Sequence, residues 1–562
     1  MTTPSSSIIT AITVLDTLVR TGMRQVLVSP GSRSAPLTYA IGALVDAGVL
    51  EAHVRIDERV AAFTALGIAR ASDQPVGVVT TSGTAVGECL PAFMEAYHTG
   101  APLVMLSADR PARLQGSGAN QTTDQSVILG KHVRAFAHLE NYSADETDPQ
   151  STDFHRTLAA LTGRNPQNWG APSSTPRGPV HLNIALDTSL TPKPADAQVL
   201  KRWAESLQQV IAAPAPRYPQ HRDAGAEAWI TSDALPAQSC RTVVVAGDGA
   251  GGLAQRFAQK LGLPLLAEPS SNARFSPLAV PAYRQVLAGE LGQQVERVVV
   301  FGHATLSRPV ASLLANTGVQ RAIYEPEPAP WHQPGALGFD AVSSLADLAD
   351  FAGKGSGVLT AGGENWCASW LAEGKQIEEQ LLADIAAYRS SGQLAGQTTP
   401  RTAGLSLALS AWEESLQDGA VLLLGSSNLI RDTDLIAPSA PVSPLVFANR
   451  GLAGIDGTIA TASGISLALG KKVRVLCGDL TFLHDAGALN IGPLERKPDV
   501  EVLVFDDRGG GIFATLEHGQ LGKTEQFGHT VQRFFTTPHT ANLEALAAAW
   551  GDNGISLEVV RP

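Results

Sequence analysis

From Gln25 onward, short and almost unbroken apolar runs alternate with longer segments whose apolar positions recur at helical spacing. Gln25 to Ser29, Ala52 to Ile56, Val76 to Thr80 and Leu103 to Ser107 read as strands, and Ala35 to Ala47, Glu58 to Ala71 and Ala85 to His98 between them as helices. A strand covered by helices on both faces has no polar face to show, so continuous apolar runs separated by helices predict βαβ units and a mostly parallel sheet. A further run at Pro179 to Leu186 closes this first unit. A second series starts at Thr242 to Ala246, continues through Pro264 to Leu266 and Arg297 to Phe301, and fades in the Gly-rich stretch Phe351 to Gly363. The third opens with a helix near Leu405 to Leu416, has strands at Val421 to Leu424, Leu445 to Phe447, Val473 to Cys477 and Val500 to Phe505, and ends in a helix over Ala541 to Trp550.

Between the first two series, Pro192, Pro194, Pro214, Pro216, Pro219 and Pro236 mark a linker wrapped around one short helix near Leu200 to Ala212. The pattern therefore predicts an α/β protein of three tandem open domains with mostly parallel sheets. They span 1–190, 236–355 and 401–562, with linkers at 191–235 and 356–400. At ~150 residues per domain, 562 residues fit three domains plus long connections.

Composition narrows the class. With 44% hydrophobic and 17% charged residues the chain has material for several cores, which excludes wholesale disorder. A net charge of -12 argues against duplex nucleic acid or an anionic membrane as the main partner and favours small molecules. The four cysteines form no Cys-x-x-Cys pair, Met1 to Leu18 carries no basic leader, and no apolar run approaches ~18 residues. A soluble cytoplasmic protein is the expectation. The 13 His show no His-Glu-x-x-His spacing, which argues against a catalytic zinc.

In open α/β sheets ligands bind beyond the carboxyl ends of the strands, so the residues there carry the chemistry. The first strand runs into Ser29-Pro30-Gly31-Ser32-Arg33-Ser34-Ala35-Pro36, either an anion site or a capped turn with a solvated Arg. The second ends at Ile56-Asp57-Glu58-Arg59, where Glu58 is a functional carboxylate or a partner of the helix dipole. The fourth ends in Ala108-Asp109-Arg110-Pro111, with Gly118-Ala119-Asn120-Gln121 following. In the third series, Ser426-Ser427-Asn428-Leu429-Ile430-Arg431 and Ala448-Asn449-Arg450-Gly451 again put an Arg past an apolar strand. Gly478-Asp479-Leu480 and Asp506-Asp507-Arg508-Gly509-Gly510-Gly511-Ile512-Phe513 then place carboxylates and glycines at two successive strand ends. Hard oxygen ligands and approachable amides are what a magnesium-diphosphate site requires; two N-caps and a Gly-rich turn are the plainer alternative. Finally, Gly247-Asp248-Gly249-Ala250-Gly251-Gly252 matches G-x-G-x-x-G, with Glu268 sixteen positions on (268 − 252), a candidate nicotinamide or flavin site.

Together, the acidic residue closing the second strand and Gly-Asp followed 28 positions later (507 − 479) by an acidic-Gly segment resemble the thiamine-diphosphate enzymes. More narrowly, Val28 to Pro36, Thr81-Ser82-Gly83-Thr84-Ala85, Ser107 to Pro111, Gly118 to Gln121, Asn449-Arg450-Gly451 with Gly454-Ile455-Asp456-Gly457, and Gly478-Asp479-Leu480 are similar to the carboligase branch of menaquinone biosynthesis. The resemblance implies pyrimidine, central and diphosphate domains in that order. It implies a transferase that decarboxylates 2-oxoglutarate and adds the succinyl carbanion equivalent to isochorismate.

It also implies roles. Glu58 holds the aminopyrimidine and relays its proton. Asp479, Asp507 and the Gly509 carbonyl bind magnesium or manganese, while Ile455, Gly478, Leu480, Gly510 and Ile512 complete the cofactor site. Arg33, Arg110, Arg431 and Arg450 pair with substrate carboxylates, aided by Asn120, Gln121 and Ser427, with Phe513 and Leu516 as apolar walls. Family members often carry an Asn-rich run where this chain has Asp506-Asp507-Arg508, implying an extra carboxylate balanced by Arg508. Gly509 to Leu521 is a candidate lid. In the family the first domain of one subunit faces the third of another, implying at least a homodimer and a homotetramer as the expected assembly. The rival readings are an acetohydroxyacid-synthase-like 2-oxoacid decarboxylase, an oxidoreductase using Gly247 to Gly252, and a non-catalytic assembly protein.

Overall fold

The computed structural model describes residues 5–145, 147–165, 175–212, 223, 225–333, 335, 338–391, 400–438 and 442–562. Its strands form three sheets in chain order, with every pairing parallel. The first comprises β1 (Gln25–Val28), β2 (Glu51–Val54), β3 (Val76–Thr80), β4 (Leu103–Asp109), β5 (Phe136–Glu140) and β6 (Val180–Ala185), ordered β2-β1-β3-β4-β6-β5. The second has β7 (Thr242–Ala246), β8 (Leu265–Ala267), β9 (Arg297–Phe301), β10 (Gln320–Tyr324) and β11 (Asp340–Val342), ordered β11-β10-β9-β7-β8. The third has β12 (Val421–Leu424), β13 (Val446–Phe447), β14 (Val473–Gly478), β15 (Val500–Phe505) and β16 (Ile555–Val560), ordered β13-β12-β14-β15-β16.

The predicted α/β class with three parallel sheets is therefore the fold. The strands absent from the sequence pattern, β5, β10, β11 and β16, are half-buried or exposed edge or near-edge strands, so they lack the continuous apolar run. The central sheet accordingly has five strands where the pattern reads three. The helix expected over Ala85 to His98 is two, Thr84–Glu88 and Leu90–Thr99. Pro91 sits at the start of the second, where its missing N–H costs nothing, whereas in a continuous helix it would break the ladder.

In the stretch expected as the first linker, helix Pro194–Ser206 lies on the first unit, with Trp203 Nε1 donating to Asp16 at 3.1 Å. Pro214, Pro216 and Pro219 lie outside the described residues. The second expected linker carries helix Trp366–Ser391, with Trp366 and Trp370 buried against the central sheet.

The first and third sheets share one apolar core. Phe63, Leu66, Val78 and Met105 of the first side join Ile459, Ile465, Val475 and Val502 of the third. At its centre helix Glu58–Ser72 crosses helix Thr458–Leu469, which is buried over Thr458 to Leu467. A Cβ on Gly464 would stand 2.0 Å from the Thr64 carbonyl oxygen, and one on Gly67 would stand 2.1 Å from that of Thr461. Glycine at both positions lets the two backbones touch. The crossing brings the start of each helix to the junction, and Asp485 caps the second by accepting from Ile459 N at 2.7 Å and Ala460 N at 2.9 Å. Among the described residues no helix is long and apolar enough to cross a membrane.

Candidate functional site

Asp57 is the N-cap at the second strand end. Its carboxylate accepts from Arg59 N at 2.9 Å and Val60 N at 3.2 Å, the capping bonds of helix Glu58–Ser72. Glu58, one residue inside, is released from capping. Burial, reinforced by Asp57 and Glu88, holds its carboxyl above the usual range. Arg59 reaches across to the carbonyl of His484 at 3.1 Å, tying this strand end to the third sheet.

Along the edge of the first sheet, buried Arg110 donates from Nη1 to the Ser82 hydroxyl and, at 2.9 Å, to the Gln121 carbonyl. Gln121 returns a bond from Nε2 to the Ser82 carbonyl at 2.7 Å and holds a left-handed backbone, φ 57°. An L-residue adopts that conformation at a cost, and such strain collects at ligand-binding loops. Beneath lies a buried network in which Gln125 Nε2 donates to Asn183 Oδ1 at 2.7 Å and Asn183 Nδ2 donates to Asp109 at 2.9 Å. Arg33 is close enough for its charge and that of Arg110 to repel, and it donates to the Leu186 carbonyl at 2.8 Å. Asn120 is exposed at the rim.

On the third sheet, Arg431 donates from Nη1 to the Ser427 carbonyl at 2.6 Å, one turn back on helix Asn428–Ile436. Arg450 is 3% exposed and held by Thr305 and Ser426. Burial first, then the neighbouring Arg450, lowers the pKa of Arg431. The loop bearing Arg450 is gripped from the first unit too: buried Glu95 accepts from Gly451 N and Leu452 N, both at 2.7 Å. Arg70 donates to the Ala448 carbonyl at 2.5 Å and to Asp248 at 3.2 Å, joining all three sheets.

At the ends of β14 and β15, Asp479 is buried; its Oδ1 accepts from Leu480 N at 2.6 Å, and its Oδ2 from Gly509 N at 2.8 Å. His539 Nε2 lies 2.9 Å from the same Oδ2. Asp479, Asp506 and His539 each offer a ligand atom within 4.8 Å of the others. The absence of His-Glu-x-x-His spacing thus does not keep a histidine from this corner. His539 is 60 positions from Asp479, so no local spacing reveals it; its only sequence signal is the turn dipeptide Thr537-Pro538 before it.

Asp507, rather than joining that trio, is pushed up to about 6 by burial and by the charges of Asp479 and Asp506. The extra carboxylate has its balance in place: Asp506 meets Arg561 Nε at 3.1 Å and Arg508 Nε at 3.5 Å. Gly478, Leu480, Gly510 and Ile512 surround this corner in the chain. Phe513 stacks edge-on against Phe535 at 5.5 Å, with Leu516 N bonded to its carbonyl. Ile455 lies on the turn preceding helix Thr458–Leu469.

The structure thus brings Arg33 together with Arg110 and Gln121, Arg431 with Arg450 and Ser427, and Asp479 with Gly509. Among the described residues, no hydrogen bond or ion pair joins Glu58 to Asp479, Asp507 or Gly509.

The first glycine of the G-x-G-x-x-G turn has a packing role. A Cβ on Gly247 would lie 2.2 Å from Ala304 N, and Asp248 and His303 exchange backbone bonds of 3.0 and 2.9 Å. The neighbouring strand's loop packs on the first glycine, whereas at Gly249, the position a pyrophosphate would approach, a Cβ would meet nothing within 4 Å. Glu268 accepts from Leu306 N in that loop at 2.9 Å and is 1% exposed, away from any ribose.

Residues 10–128 match the family described as thiamine pyrophosphate enzyme, N-terminal TPP binding domain. Three curated relatives all bear the name 2-succinyl-5-enolpyruvyl-6-hydroxy-3-cyclohexene-1-carboxylate synthase. The protein of Paenarthrobacter aurescens (strain TC1) is 47% identical over 94% of this chain and 86% of its own length. That of Renibacterium salmoninarum is 45% identical over 96% and 88%, and that of Kineococcus radiotolerans 42% over 98% and 90%.

Proposed function

The chain belongs to the 2-succinyl-5-enolpyruvyl-6-hydroxy-3-cyclohexene-1-carboxylate synthase family of thiamine-pyrophosphate enzymes, and we propose that it removes carbon dioxide from 2-oxoglutarate and joins the remaining succinyl unit to isochorismate, a cytoplasmic step of menaquinone biosynthesis. The observation that carries the substrate class is the state of four arginines. Arg33, Arg110, Arg431 and Arg450 stand in two close pairs at strand ends, and none of them makes an ion pair among the described residues. The carboxylates of Asp187 and Asp109 near Arg33, and of Asp434 near Arg431, offset the repulsion from a distance without pairing; an anion bridging each pair would complete the site, and guanidinium forks match carboxylates in a fixed plane. Both substrates are dicarboxylates. A pyruvate-using decarboxylase has no need of two such pairs.

The donor set suits thiamine diphosphate with a divalent cation. Asp479, Asp506 and Asp507 crowd one corner, where burial first and then the charges of Asp479 and Asp506 raise Asp507 to about 6, and a hard cation would relieve that crowding. Asp479, Asp507 and the Gly509 carbonyl would hold magnesium or manganese, with Ile455, Gly478, Leu480, Gly510 and Ile512 around the cofactor. When bound, thiamine diphosphate supplies the nucleophilic carbon and the electron sink that 2-oxoacid decarboxylation needs. Glu58, with its proton affinity raised by burial, would hold a proton at its carboxyl and pass it to the aminopyrimidine. Arg33 and Arg110 with Asn120 and Gln121, and Arg431 and Arg450 with Ser427, would orient the carboxylates. Phe513 and Leu516 would keep water from the reacting carbon. Since Glu58 has no direct link to Asp479 within one chain, the reading includes a homodimer at minimum, pairing the first unit of one subunit with the third of another, and a homotetramer as the full assembly.

The test has two arms. Thiamine diphosphate with magnesium is expected to raise the melting temperature, and NAD to leave it unchanged. Under saturating cofactor, isochorismate with 2-oxoglutarate is expected to release carbon dioxide; no release, or a melting temperature that responds to NAD instead, overturns the assignment.

A further inference from the structure

We propose that the central sheet aims the arginine pair at the dicarboxylate substrate, with Thr305 and Arg284 as positioning residues for Arg450 and Arg431; this rests on the functional reading above. Thr305 lies in the loop after β9. Its Oγ1 accepts from Arg450 Nη2 at 2.9 Å and from Nε at 3.2 Å, and its carbonyl accepts from Nη2 at 3.1 Å. These contacts occupy one whole side of the guanidinium. Among the described residues only the 3.4 Å contact to Ser426 Oγ falls on Nη1, which leaves that nitrogen to face an incoming carboxylate.

The loop itself is fixed twice over. The Glu268 carboxyl holds Leu306 N, and Gly247 and Asp248 hold His303 and Ala304 by backbone contact too close for any side chain. Thr305 thus presents its oxygens from a rigid mount, which is what a recognition group needs from its support.

Arg431 is supported in parallel. Arg284 donates from Nη2 to the Arg431 carbonyl at 2.7 Å while its Nε meets Asp434 at 3.0 Å. Asp434 is fully buried and also receives the Tyr283 hydroxyl at 3.1 Å and Arg274 Nη1 at 3.3 Å. Tyr283, Arg284 and Arg274 all come from the central unit; Asp434 and Arg431 share helix Asn428–Ile436. The third unit supplies both arginines, and the central unit determines where they point. That gives the central sheet a task although it contributes none of the residues assigned to cofactor or substrate.

The experiment compares holoenzyme carrying Thr305→Val, Thr305→Ser and Arg284→Lys with the wild type. Valine keeps the shape of threonine and loses the acceptor; serine keeps the acceptor. Thr305→Val is expected to raise KM for 2-oxoglutarate or isochorismate at least tenfold, with thiamine-diphosphate affinity and melting temperature unchanged and kcat within threefold. Thr305→Ser is expected to restore KM to within twofold. Arg284→Lys keeps the charge opposite Asp434 but cannot span to the Arg431 carbonyl, and is expected to raise KM in the same way. Wild-type KM in both Thr305→Val and Arg284→Lys, or equal losses in kcat, cofactor affinity and melting temperature, overturns the proposal. Calorimetric titration of the same holoenzymes with glutarate separates the two readings. If the wild type binds glutarate but releases no carbon dioxide with the two substrates, the functional assignment fails, and the affinity ratio of Thr305→Val to wild type still decides the positioning role. Equal glutarate affinities overturn it.

Discussion

At the scale of single residues, the strand-end side chains were legible because a parallel sheet delivers its carboxyl ends to one edge, whatever the loops do next. Arg33, Arg110, Arg431, Arg450 and Asp479 all stand there. Their partners were not legible. His539, Thr305 and Glu95 reach the site from 60, 145 and 356 positions away, and no periodicity encodes such a contact. Glu58 shows where a local rule stops. An acid in the first turn of a helix reads as a partner of the helix dipole; Asp57 takes the capping bonds, and Glu58, one residue on, is half-buried with its carboxyl raised. Its role then has a clean expectation. Glu58→Gln keeps shape and burial while removing the proton site, so turnover should fall by a factor on the order of 10²–10⁴, the usual span for a lost general acid–base group. Thiamine-diphosphate affinity, measured by calorimetry, should stay within a few-fold. Retained turnover would return Glu58 to a structural role.

Among elements, the crossing of helices Glu58–Ser72 and Thr458–Leu469 decides how the first and third sheets meet. The second helix escapes the sequence pattern because its small hydroxyl residues Thr458, Thr461, Ser463 and Ser466 are buried along with the apolar ones, so no polar face marks its period. Its glycine is the telling position. Gly464→Val would drive a side chain into the Thr64 carbonyl, whose oxygen would stand 2.0 Å from the new Cβ, and a backbone obstacle cannot rotate away. Overpacking of this kind costs about 1–3 kcal/mol, and a backbone obstacle puts it at the upper end. Chemical denaturation should register that loss, together with a lowered melting temperature. Gly42→Ala serves as the matched control. It occupies an exposed position of helix Ala35–Asp46 with nothing within 4 Å of the new methyl, and should stabilise by about 0.5–1 kcal/mol. Equal effects from the two substitutions would show that the close crossing does not govern stability.

Over the whole molecule, three sheets of similar design are made into one unit by buried charge at their junctions rather than by apolar surface alone. Net charge, -12, says nothing of this; what matters is which carboxyls were carried inside. Glu268 is the clearest, lying between the central sheet and the loop that grips Arg450. Burial pushes its carboxyl up to about 8, with Asp434 and Asp248 pushing the same way and Arg450 and the Leu306 amide opposing. In the unfolded chain the group titrates near 4.5. Because the folded value is the higher one, its contribution to stability is fully present below about pH 4.5, diminishes through the interval, and is lost as the pH passes 8. Glu268→Gln keeps an acceptor for Leu306 N and removes the titration. The wild type should therefore lose melting temperature relative to Glu268→Gln as the pH rises from about 5 to about 9, with the steepest divergence between about 5.5 and 7. The measurement is the difference between two thermal-unfolding profiles recorded in the same buffers, so shifts from every other group cancel. Parallel profiles would mean that Glu268 ionises freely in the folded protein, and that the junction between the central and third sheets tolerates a charge its geometry gives no partner.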